Sequence, residues 1–417
     1  MSGLDRRSFL GASLGGMAAA LTLGQRAVGQ EAPAIDSTAA PDGLFLTWQR
    51  DPTTTMAIQW IGPDSGADQI SFSALNSDNF QSQPTELRPF PDTDLKVHRC
   101  ELSGLAPGSE YQFRINGGSA TYRFRTMPAT STNTIQFVSG GDCGTNEHAV
   151  ATNALAAKQE PYFALLGGDL AYDNGDSPET FLTFLRNYSR QMIDPTGRLI
   201  PMISCISNHE CNDKQGPANV RAPHYLSVFD GFFGDRPYGV LDIGDYLSFV
   251  LLDSGHIAPI GGEQTSWLEQ TLAARQDKQH LIVANHVPAY PSYRAPEGEN
   301  GEYGTGEENR KYWSPLFERY NVDLVLEHHD HTFKRTHRMA GGLKDKNGVL
   351  YLGDGSWGQL RTPKTPEERP YLAAVSEAYH MTVHRLEGDD RFHVAIDSTG
   401  RVADTCTTTS KHADRRD

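Results

Sequence analysis

The stretch "LVLEHHDHTF" at residues 324–333 joins an apolar run to three imidazoles and a carboxylate. Residues two apart on an extended segment point the same way, so His329 and His331 are predicted to face one site. His328 and Asp330 should then face away from it. Imidazole and carboxylate are ligands of transition-metal ions. The stretch therefore predicts a metal site at the end of a buried strand.

Four further apolar runs end in donors of the same kind. They supply Asp142 in "GGDCG", Asp169 and Tyr172 in "GGDLAY", Asn208 and His209 in "SNHE", and His286 in "ANHVPAY". In open α/β sheets, ligands bind at the carboxyl ends of the strands. Chance would scatter such donors over both edges, so the repeated pattern predicts one shared site. Asp169 and Tyr172 can lie on one side if their loop makes a helical turn.

The donors are carboxylate, phenol, amide oxygen and imidazole, and no thiolate is needed. This set favours iron, zinc or manganese over copper(I). Seven donors exceed the needs of one tetrahedral zinc, but they fit two ions that share a carboxylate. Two ions roughly 3.5–4 Å apart can clamp the attacking and leaving oxygens of a phosphate.

Two kinds of element must position these residues. Residues 42–128 show short alternating runs separated by turn-forming residues, which is typical of an all-β sandwich. The sandwich resembles a fibronectin type III domain, with Trp60 in its core and Tyr111 bonded back to a preceding turn. No chemical site is visible in it. From Ile135 onward, apolar runs alternate with amphipathic segments, which indicates an α/β layered fold.

The predicted catalytic domain covers residues 134–405, followed by a polar tail at 406–417. A long polar loop, residues 294–311, comes just after the His286 segment and is expected to face the substrate. Tyr293 and Arg294, at its start, are candidate phosphate contacts. A solvated loop with no such role is the alternative.

The chain has 417 residues and a formal net charge of −15, which argues against nucleic acid as a partner. Bound metal ions would still give a phosphate site local positive charge. Five cysteines are too few for a disulfide scaffold. Cys205 and Cys211 are close enough in sequence to form a disulfide in an oxidising compartment, and free buried cysteine is the alternative.

Residues 1–30 are predicted to be a targeting segment, and residues 31–41 a linker. The Arg6-Arg7 pair in "DRRSFLG" precedes a stretch of small apolar residues, as in a twin-arginine export signal. An ordinary secretory signal and an uncleaved anchor are the alternatives. The preferred interpretation predicts a bacterial protein that is exported folded to the periplasm or the medium, with no stable membrane anchor after cleavage.

Five blocks stand in a fixed order: "GDCG", "GDLAY", "SNHE", "VANH" and "HHDH". With the preceding β-sandwich, they resemble the purple acid phosphatases of the metallophosphoesterase, or calcineurin-like, superfamily. The resemblance covers nearly all of the chain after the targeting segment. It implies a metallophosphoesterase sandwich of two β-sheets flanked by helices.

The resemblance also implies a ligand set for a binuclear centre. Fe(III) would be bound by Asp142, Tyr172 and His331, a divalent zinc, manganese or iron ion by Asn208, His286 and His329, and Asp169 would bridge the two. A phenol with a pKa of about 10 ionises at neutral pH only beside a strong Lewis acid, which favours iron(III) next to Tyr172.

The chain departs from the family at three places. Ser207 and His328 stand where family members have glycine, and no histidine follows His286 at the spacing of plant members. The general acid is therefore open, and His209 is the first candidate. Asn208 and His209 are also expected to contact the substrate.

The resemblance implies an exported phosphatase that hydrolyses small-molecule phosphate monoesters by in-line attack of a metal-bound hydroxide. One alternative is a phosphodiesterase, or an iron–calcium alkaline phosphatase of the same superfamily, in which Cys143 would have to bind iron. A second alternative is a non-catalytic binding protein with a fibronectin-like module. The oligomeric state is left open.

Overall fold

The computed structural model describes residue 41 and residues 43–66, 68–131, 134–232, 236–298 and 302–411. The predicted targeting segment and nearly all of the predicted linker lie outside these residues. Among the described helices, none has the length and apolar character needed to span a bilayer.

An N-terminal β-sandwich comes first, with two four-stranded sheets ordered β1-β2-β6-β5 and β4-β3-β7-β8. Its strands are β1 Phe45–Thr47, β2 Met56–Gly62, β3 Gln69–Ala74, β4 Gln81–Pro84, β5 Glu86–Pro89, β6 Lys96–Leu102, β7 Glu110–Ile115 and β8 Tyr122–Arg125. Trp60 is buried on β2 and stacks on His98, with ring centroids 4.8 Å apart. The Tyr111 hydroxyl accepts the backbone N–H of Ala106 at 2.8 Å, so the predicted corner is confirmed.

A six-stranded sheet, ordered β11-β10-β9-β21-β22-β23, forms one layer of the second domain. Its strands are β9 Ile135–Gly140, β10 Ala164–Leu166, β11 Met202–Ser204, β21 His380–Glu387, β22 Asp390–Asp397 and β23 Val402–Thr409. The helices that follow β9 and β10 are α1 Glu147–Ala157 and α2 Pro178–Gln191. The Asn146 side chain caps α1 by accepting the N–H groups of His148 and Ala149, which fixes where the helix begins.

A seven-stranded sheet, ordered β12-β13-β14-β15-β19-β16-β20, forms the other layer. Its strands are β12 Gly239–Ile243, β13 Leu247–Leu251, β14 His280–Ala284, β15 Leu324–Glu327, β16 Phe333–Thr336, β19 Leu350–Asp354 and β20 Leu372–Ser376, and β17 Met339–Ala340 pairs with β18 Leu343–Lys344 beside it. The remaining helices are α3 Ala218–Arg221, α4 Pro223–Phe229, α5 Glu263–Ala273, α6 Glu307–Tyr312 and α7 Ser314–Arg319, with 3-10 turns at Asn208–Glu210 and Asp230–Phe232.

The two sheets pack face to face through apolar side chains. Phe137 of β9 meets Phe249 of β13 edge-on, with ring centroids 5.3 Å apart. A Cβ added at Gly140 would lie 2.2 Å from the buried Trp357 ring, so glycine is needed where β9 ends. The outer face of the seven-stranded sheet packs on α5 and α7 through a second apolar cluster. The predicted fold class, a β-sandwich followed by an α/β layered domain, is confirmed.

Strand direction explains why distant motifs meet. β9, β10 and β11 are parallel neighbours in one sheet, and β13, β14 and β15 are parallel neighbours in the other. β14 is buried along its whole length, as expected for a central parallel strand with both faces covered. The loops that follow these strands therefore leave their sheets at common edges.

One predicted boundary is wrong. The polar tail was expected to begin at residue 406, but β23 continues to Thr409 and pairs with β22. The Ser410 hydroxyl also reaches the carbonyl of Gln279. The threonine-rich run "CTTT" is polar, but its β-branched residues suit an edge strand.

Candidate metal centre

The loop after β9 places Asp142 at the centre of the site. Its side chain is fully buried, and Oδ2 accepts the backbone N–H of His329 at 2.8 Å. The other oxygen, Oδ1, lies 3.0 Å from Nε2 of His331 and 3.4 Å from the Tyr172 hydroxyl. One carboxylate oxygen thus orients a loop of the opposite sheet, while the other faces two further donors.

Asp169, in the loop after β10, is buried between both sheets. Its Oδ2 lies 3.4 Å from Nε2 of His286, and its Oδ1 accepts the backbone N–H of His209 at 3.2 Å. Burial alone would raise the pKa of Asp169, but the nearby His286 and His209 and the Ser207 hydroxyl outweigh it and hold this pKa well below its usual range. Asp169 is therefore an anion.

Ser207 and Glu210 support Asp169 from the loop after β11. The backbone N–H of Asp169 donates to Ser207 Oγ at 2.6 Å and to the Glu210 carboxylate at 3.1 Å. The Ser207 hydroxyl also contacts the carboxylates of both Asp169 and Glu210. Burial, followed by the neighbouring Asp169, raises the pKa of Glu210 to about 8. The serine that replaces the family glycine thus adds a polar link between two site loops.

Tyr172 directs its hydroxyl at the same point as Asp142 and His331. The hydroxyl oxygen lies 3.1 Å from Nε2 of His331. Burial, then the charges of Asp142 and Asp169, raise the pKa of Tyr172 far above its usual value. The phenolate form can therefore exist here only when a strong cation compensates those anions.

Asn208 opens the 3-10 turn after β11. Its Oδ1 is a buried acceptor that has no hydrogen-bond partner among the described residues. A buried amide oxygen without a donor is unfavourable unless something absent from the protein chain binds it. Asn208 is therefore suited to bind a cation through Oδ1.

His286 is held in a defined orientation. Its Nδ1 donates to the carbonyl of Gly167 at 2.8 Å, which leaves Nε2 facing the site. Burial lowers the pKa of His286, but Asp169 raises it by more, so that it reaches about 9. Nε2 also lies 2.9 Å from Nδ1 of His329, so two imidazole nitrogens converge.

His329 and His331 both face the site, but not for the predicted reason. β15 ends at Glu327, and the two histidines have φ angles of 73° and 59°, so the segment is a tight turn and not an extended strand. The prediction that His328 points elsewhere agrees with the structure. Its buried ring lies against Gly141 and Gly167, and Nδ1 is 3.1 Å from the carbonyl of Asn285.

These donors form two clusters with one shared member. The ligand atoms of Asp169, His286 and His329 lie within 4.8 Å of one another, and so do those of Asp142, Asp169 and His331. Both clusters thus contain the Asp169 carboxylate. The donor set fits a pair of cations bridged by Asp169, with Tyr172 beside the second cluster.

The predicted general acid, His209, lies at the rim of the centre. Its side chain is 34% exposed, and Nε2 is 4.0 Å from Oδ2 of Asp169. Nδ1 bonds to the side-chain oxygen of Asn174, and the ring packs against Tyr172 with centroids 4.3 Å apart. The partly exposed ring of His209 thus lies next to the carboxylate that the two donor clusters share.

The two predicted phosphate contacts differ in environment. Tyr293 is 43% exposed, and the guanidinium of Arg361 lies 4.9 Å from its ring centroid. Arg294 donates to the His329 carbonyl and, at 2.9 Å, to Oδ1 of Asp330. Since its guanidinium is bound to this turn, Arg294 supports the His329 backbone.

Sequence reasoning missed His256. It follows β13, the parallel neighbour of β14, in the stretch "LLDSGH". Its ring centroid is 5.9 Å from that of His286. The sequence contains a pattern that could have predicted this residue. Like the strands that precede the predicted ligands, β13 is an apolar run followed by an aspartate and a histidine.

Comparison with known proteins agrees with this architecture. The family model for "Purple acid Phosphatase, N-terminal domain" matches residues 41–126, and the model for "Calcineurin-like phosphoesterase" matches residues 140–333. The chain belongs to the purple acid phosphatase-like metallophosphoesterases. The proposed resemblance is thereby confirmed.

Relatives of this family are similar at modest identity. An uncharacterized protein of Mycobacterium tuberculosis is 26% identical over 349 residues, which cover 72% of this chain and 63% of the relative. Probable purple acid phosphatase 20 of Arabidopsis thaliana is 26% identical over 300 residues, with 68% and 66% covered. Acid phosphatase type 7 of Homo sapiens is 25% identical over 411 residues, with 88% and 90% covered. The chain thus spans less than two thirds of the length of some relatives.

Solved structures agree with the fold. Purple acid phosphatase PPD1 from yellow lupin seeds has a TM-score of 0.74 at 17% identity, with 89% of this chain and 74% of that chain covered. PhoD has a TM-score of 0.63 at 11% identity, with 89% and 93% covered. At these identities the likeness concerns the fold alone.

Two cysteine hypotheses can be compared with the geometry of this metallophosphoesterase. Cys143 is buried and belongs to neither donor cluster, unlike the iron-binding cysteine required by the alkaline phosphatase alternative. Cys205 and Cys211 are free thiols, so the structure does not contain the considered disulfide. Sulfur of Cys211 lies 3.3 Å from the Ser207 carbonyl.

Proposed function

We propose that the protein is a binuclear metal-dependent phosphatase that hydrolyses small-molecule phosphate monoesters. The observation that supports this most strongly is the pair of donor clusters that share Asp169. A shared carboxylate can hold two cations close together, and such a pair can stabilise the attacking and leaving oxygens when a phosphate ester is hydrolysed. Curated relatives described as acid phosphatases support the same activity.

The proposed ligands of the two cations are based on the two donor clusters. Fe(III) is assigned to Asp142, Tyr172 and His331, since the phenol needs a strong cation to ionise. The divalent ion, zinc, manganese or iron, is assigned to Asn208, His286 and His329. The buried, unpartnered Oδ1 of Asn208 supports its assignment as a ligand.

When bound, the two cations would neutralise the phosphoryl oxygens and activate water for in-line attack. The protein residues have separate tasks. Ser207 and Glu210 hold Asp169 in place through its backbone and carboxylate. His209, oriented by Asn174, donates a proton to the leaving alcohol from its exposed edge. Arg294, which binds the His329 carbonyl and the Asp330 carboxylate, stabilises the turn that carries His329.

A hydrolysis assay tests the proposed activity directly. Purified protein is stripped with a chelator, reloaded with iron and zinc, and given p-nitrophenyl phosphate and the corresponding diester. We expect turnover of the monoester only after reloading, and a smaller rate on the diester. Preference for the diester would favour the phosphodiesterase alternative. No hydrolysis of either ester, with two metals bound, would favour a binding protein.

We further propose that the protein is exported through the twin-arginine pathway. The Arg6-Arg7 pair and the small apolar residues after it support this, because that pathway accepts folded, metal-loaded proteins. Replacing both arginines with lysine should retain the protein in the cytoplasm. Unchanged periplasmic or extracellular yield of the variant would contradict twin-arginine export.

A further inference from the structure

The loop after β13 is built around the buried carboxylate of Asp253. This carboxylate accepts the backbone N–H groups of His256, Ile257 and Ala258 at 2.8, 2.9 and 2.6 Å. The guanidinium of Arg221 binds the carbonyls of His256 and Ile257 from the other side. Five hydrogen bonds thus fix the backbone that carries His256.

A hydrogen-bond chain also orients the imidazole. The backbone N–H of Val287, next to the metal-binding His286, donates to Ser254 Oγ at 3.0 Å. Ser254 Oγ lies 3.2 Å from Nε2 of His256. When the Ser254 hydroxyl donates to Nε2, Ser254 Oγ both accepts a hydrogen bond from Val287 and donates one to His256. A neutral imidazole that accepts at Nε2 carries its proton on Nδ1.

This placement of the proton follows from the hydrogen-bond geometry. A ring that is protonated on both nitrogens would carry an N–H group at Nδ1 as well. In both forms Nδ1 is therefore a donor, and Ser254 orients the ring through Nε2.

Its position relative to the centre completes the argument. Besides its ring contact with His286, it lies close enough to Asp169, His209 and His329 to interact with them electrostatically. Among the described residues the only hydrogen-bond contact of the His256 ring is that of Nε2 with Ser254, so Nδ1 remains available as a donor. A donor held in a fixed position thus remains available beside the proposed metal centre, where a phosphate would bind.

We propose that His256 donates its Nδ1–H to a phosphoryl oxygen of the substrate. The same donor would bind inorganic phosphate, a tetrahedral oxyanion with equivalent oxygens. This assignment rests on the proposed function, because it places a phosphate at the metal centre. According to this proposal, the loops of the seven-stranded sheet supply a substrate-binding residue, His256, in addition to metal ligands.

The test compares His256→Phe with His256→Gln in metal-loaded protein. Phenylalanine keeps the ring shape and removes the donor, whereas glutamine keeps an N–H donor. Calorimetric titration with inorganic phosphate should show about tenfold weaker binding for His256→Phe, because hydrogen bonds to charged groups are strong. His256→Gln should recover part of this loss. KM for the monoester should rise with the phosphate Kd. His337→Phe, at the residue that follows β16, is the matched control.

A second variant tests the hydrogen-bond chain. Ser254→Ala should weaken phosphate binding in the wild-type background, because it frees the imidazole to change tautomer. In the His256→Phe background it should have no further effect. An equal loss of phosphate affinity in both backgrounds would mean that Ser254 acts through Val287 and His286. The proposed role of the hydrogen bond from Ser254 to His256 would then be wrong.

Two results would overturn the proposal for His256 itself. One is unchanged phosphate affinity in His256→Phe with both metals retained. The other is loss of metal from this variant, since His256 would then be a support for His286. The proposed function is judged separately, by whether the wild-type protein hydrolyses the ester at all. Phosphate affinity does not depend on turnover, so the two failures can be told apart.

Discussion

Five of the seven proposed metal ligands have backbone conformations that side chains rarely adopt. Their φ angles lie between 51° and 73°, at Asp142, Asp169, Tyr172, His329 and His331. Each such residue costs on the order of 1–3 kcal/mol, which persists only where surrounding contacts fix the geometry. The chain therefore accepts strain at the residues that the proposed centre uses. Sequence patterns identified these residues but did not predict the strain, because it arises from loops of two different sheets meeting.

Replacing Tyr172 tests the identity of one ion. In iron-loaded protein, a phenolate ligand gives a charge-transfer band in visible light, so Tyr172→Phe should bleach the colour and leave iron bound through Asp142 and His331. The far-UV circular dichroism should be unchanged. Tyr379→Phe, a ring stacked on His148, is the control and should keep the colour. A colourless, active, iron-free wild type would rule the assignment out.

His328 and His331 should respond differently to alanine. His331→Ala removes a donor, so metal content should fall while the thermal midpoint changes little in metal-free protein. His328→Ala removes a buried ring between Gly141 and Gly167, which should cost about 2–4 kcal/mol of stability. Metal analysis and thermal unfolding of both variants test these expectations. If His328→Ala lost metal while His331→Ala kept it, the assignment of His331 as a ligand and of His328 as a packing residue would be wrong.

The pKa of His286 predicts how metal binding depends on pH. In metal-free protein this pKa is raised to about 9, so the ring is protonated at neutral pH and pairs with Asp169. The stabilisation of the metal-free fold by this ion pair is complete at pH values below the ordinary histidine pKa. It is lost as the pH rises through 9, where the ring loses its proton. A metal must displace the proton, so manganese affinity should rise about tenfold per pH unit from 7 to 9. Chelator competition titrations measure this, and a flat profile would contradict it.

At the scale of elements, the sequence predicted which strands deliver donors, because an apolar run followed by Asp, Asn or His is a local signal. It could not show which strands are neighbours. The partition into β9, β10 and β11 on one sheet and β14 and β15 on the other depends on long-range pairing. The His256 loop was missed for the same reason, since only its pairing with β14 places β13 at the site.

Ser207 links two of these loops, and its removal should loosen them. Ser207→Ala deletes the hydroxyl that contacts Asp169 and Glu210. Residues that orient metal ligands typically contribute about 10–100-fold to metal affinity, so a loss in that range is expected. Ser227→Ala, whose hydroxyl bonds to the His224 carbonyl, is the control. Unchanged affinity in Ser207→Ala would show that the serine merely fills space.

At the scale of the whole molecule, the two-domain order and the α/β class were predictable from periodicity and motif order. The C-terminal boundary was not, because the polar β23 has the composition of a tail. The domains are joined by polar contacts that no local pattern reveals. Gln59 of the sandwich donates to the buried carbonyl of Val228, and Arg99 donates to the partly exposed carboxylate of Asp230. Because the formal net charge is −15, the proposed binding of phosphate would depend on positive charge that bound cations concentrate at the metal centre.

Metal stoichiometry of Asp169→Asn tests the central claim most directly. Asparagine keeps the size of the side chain but removes the charge that both donor clusters share. Asp176→Asn, an exposed carboxylate in the same loop region, is the matched control. Elemental analysis after reloading should find about two ions per chain in the wild type and in Asp176→Asn. Asp169→Asn should lose metal from both sites. Retention of both ions by Asp169→Asn, or a single ion in the wild type, would contradict a centre bridged by Asp169.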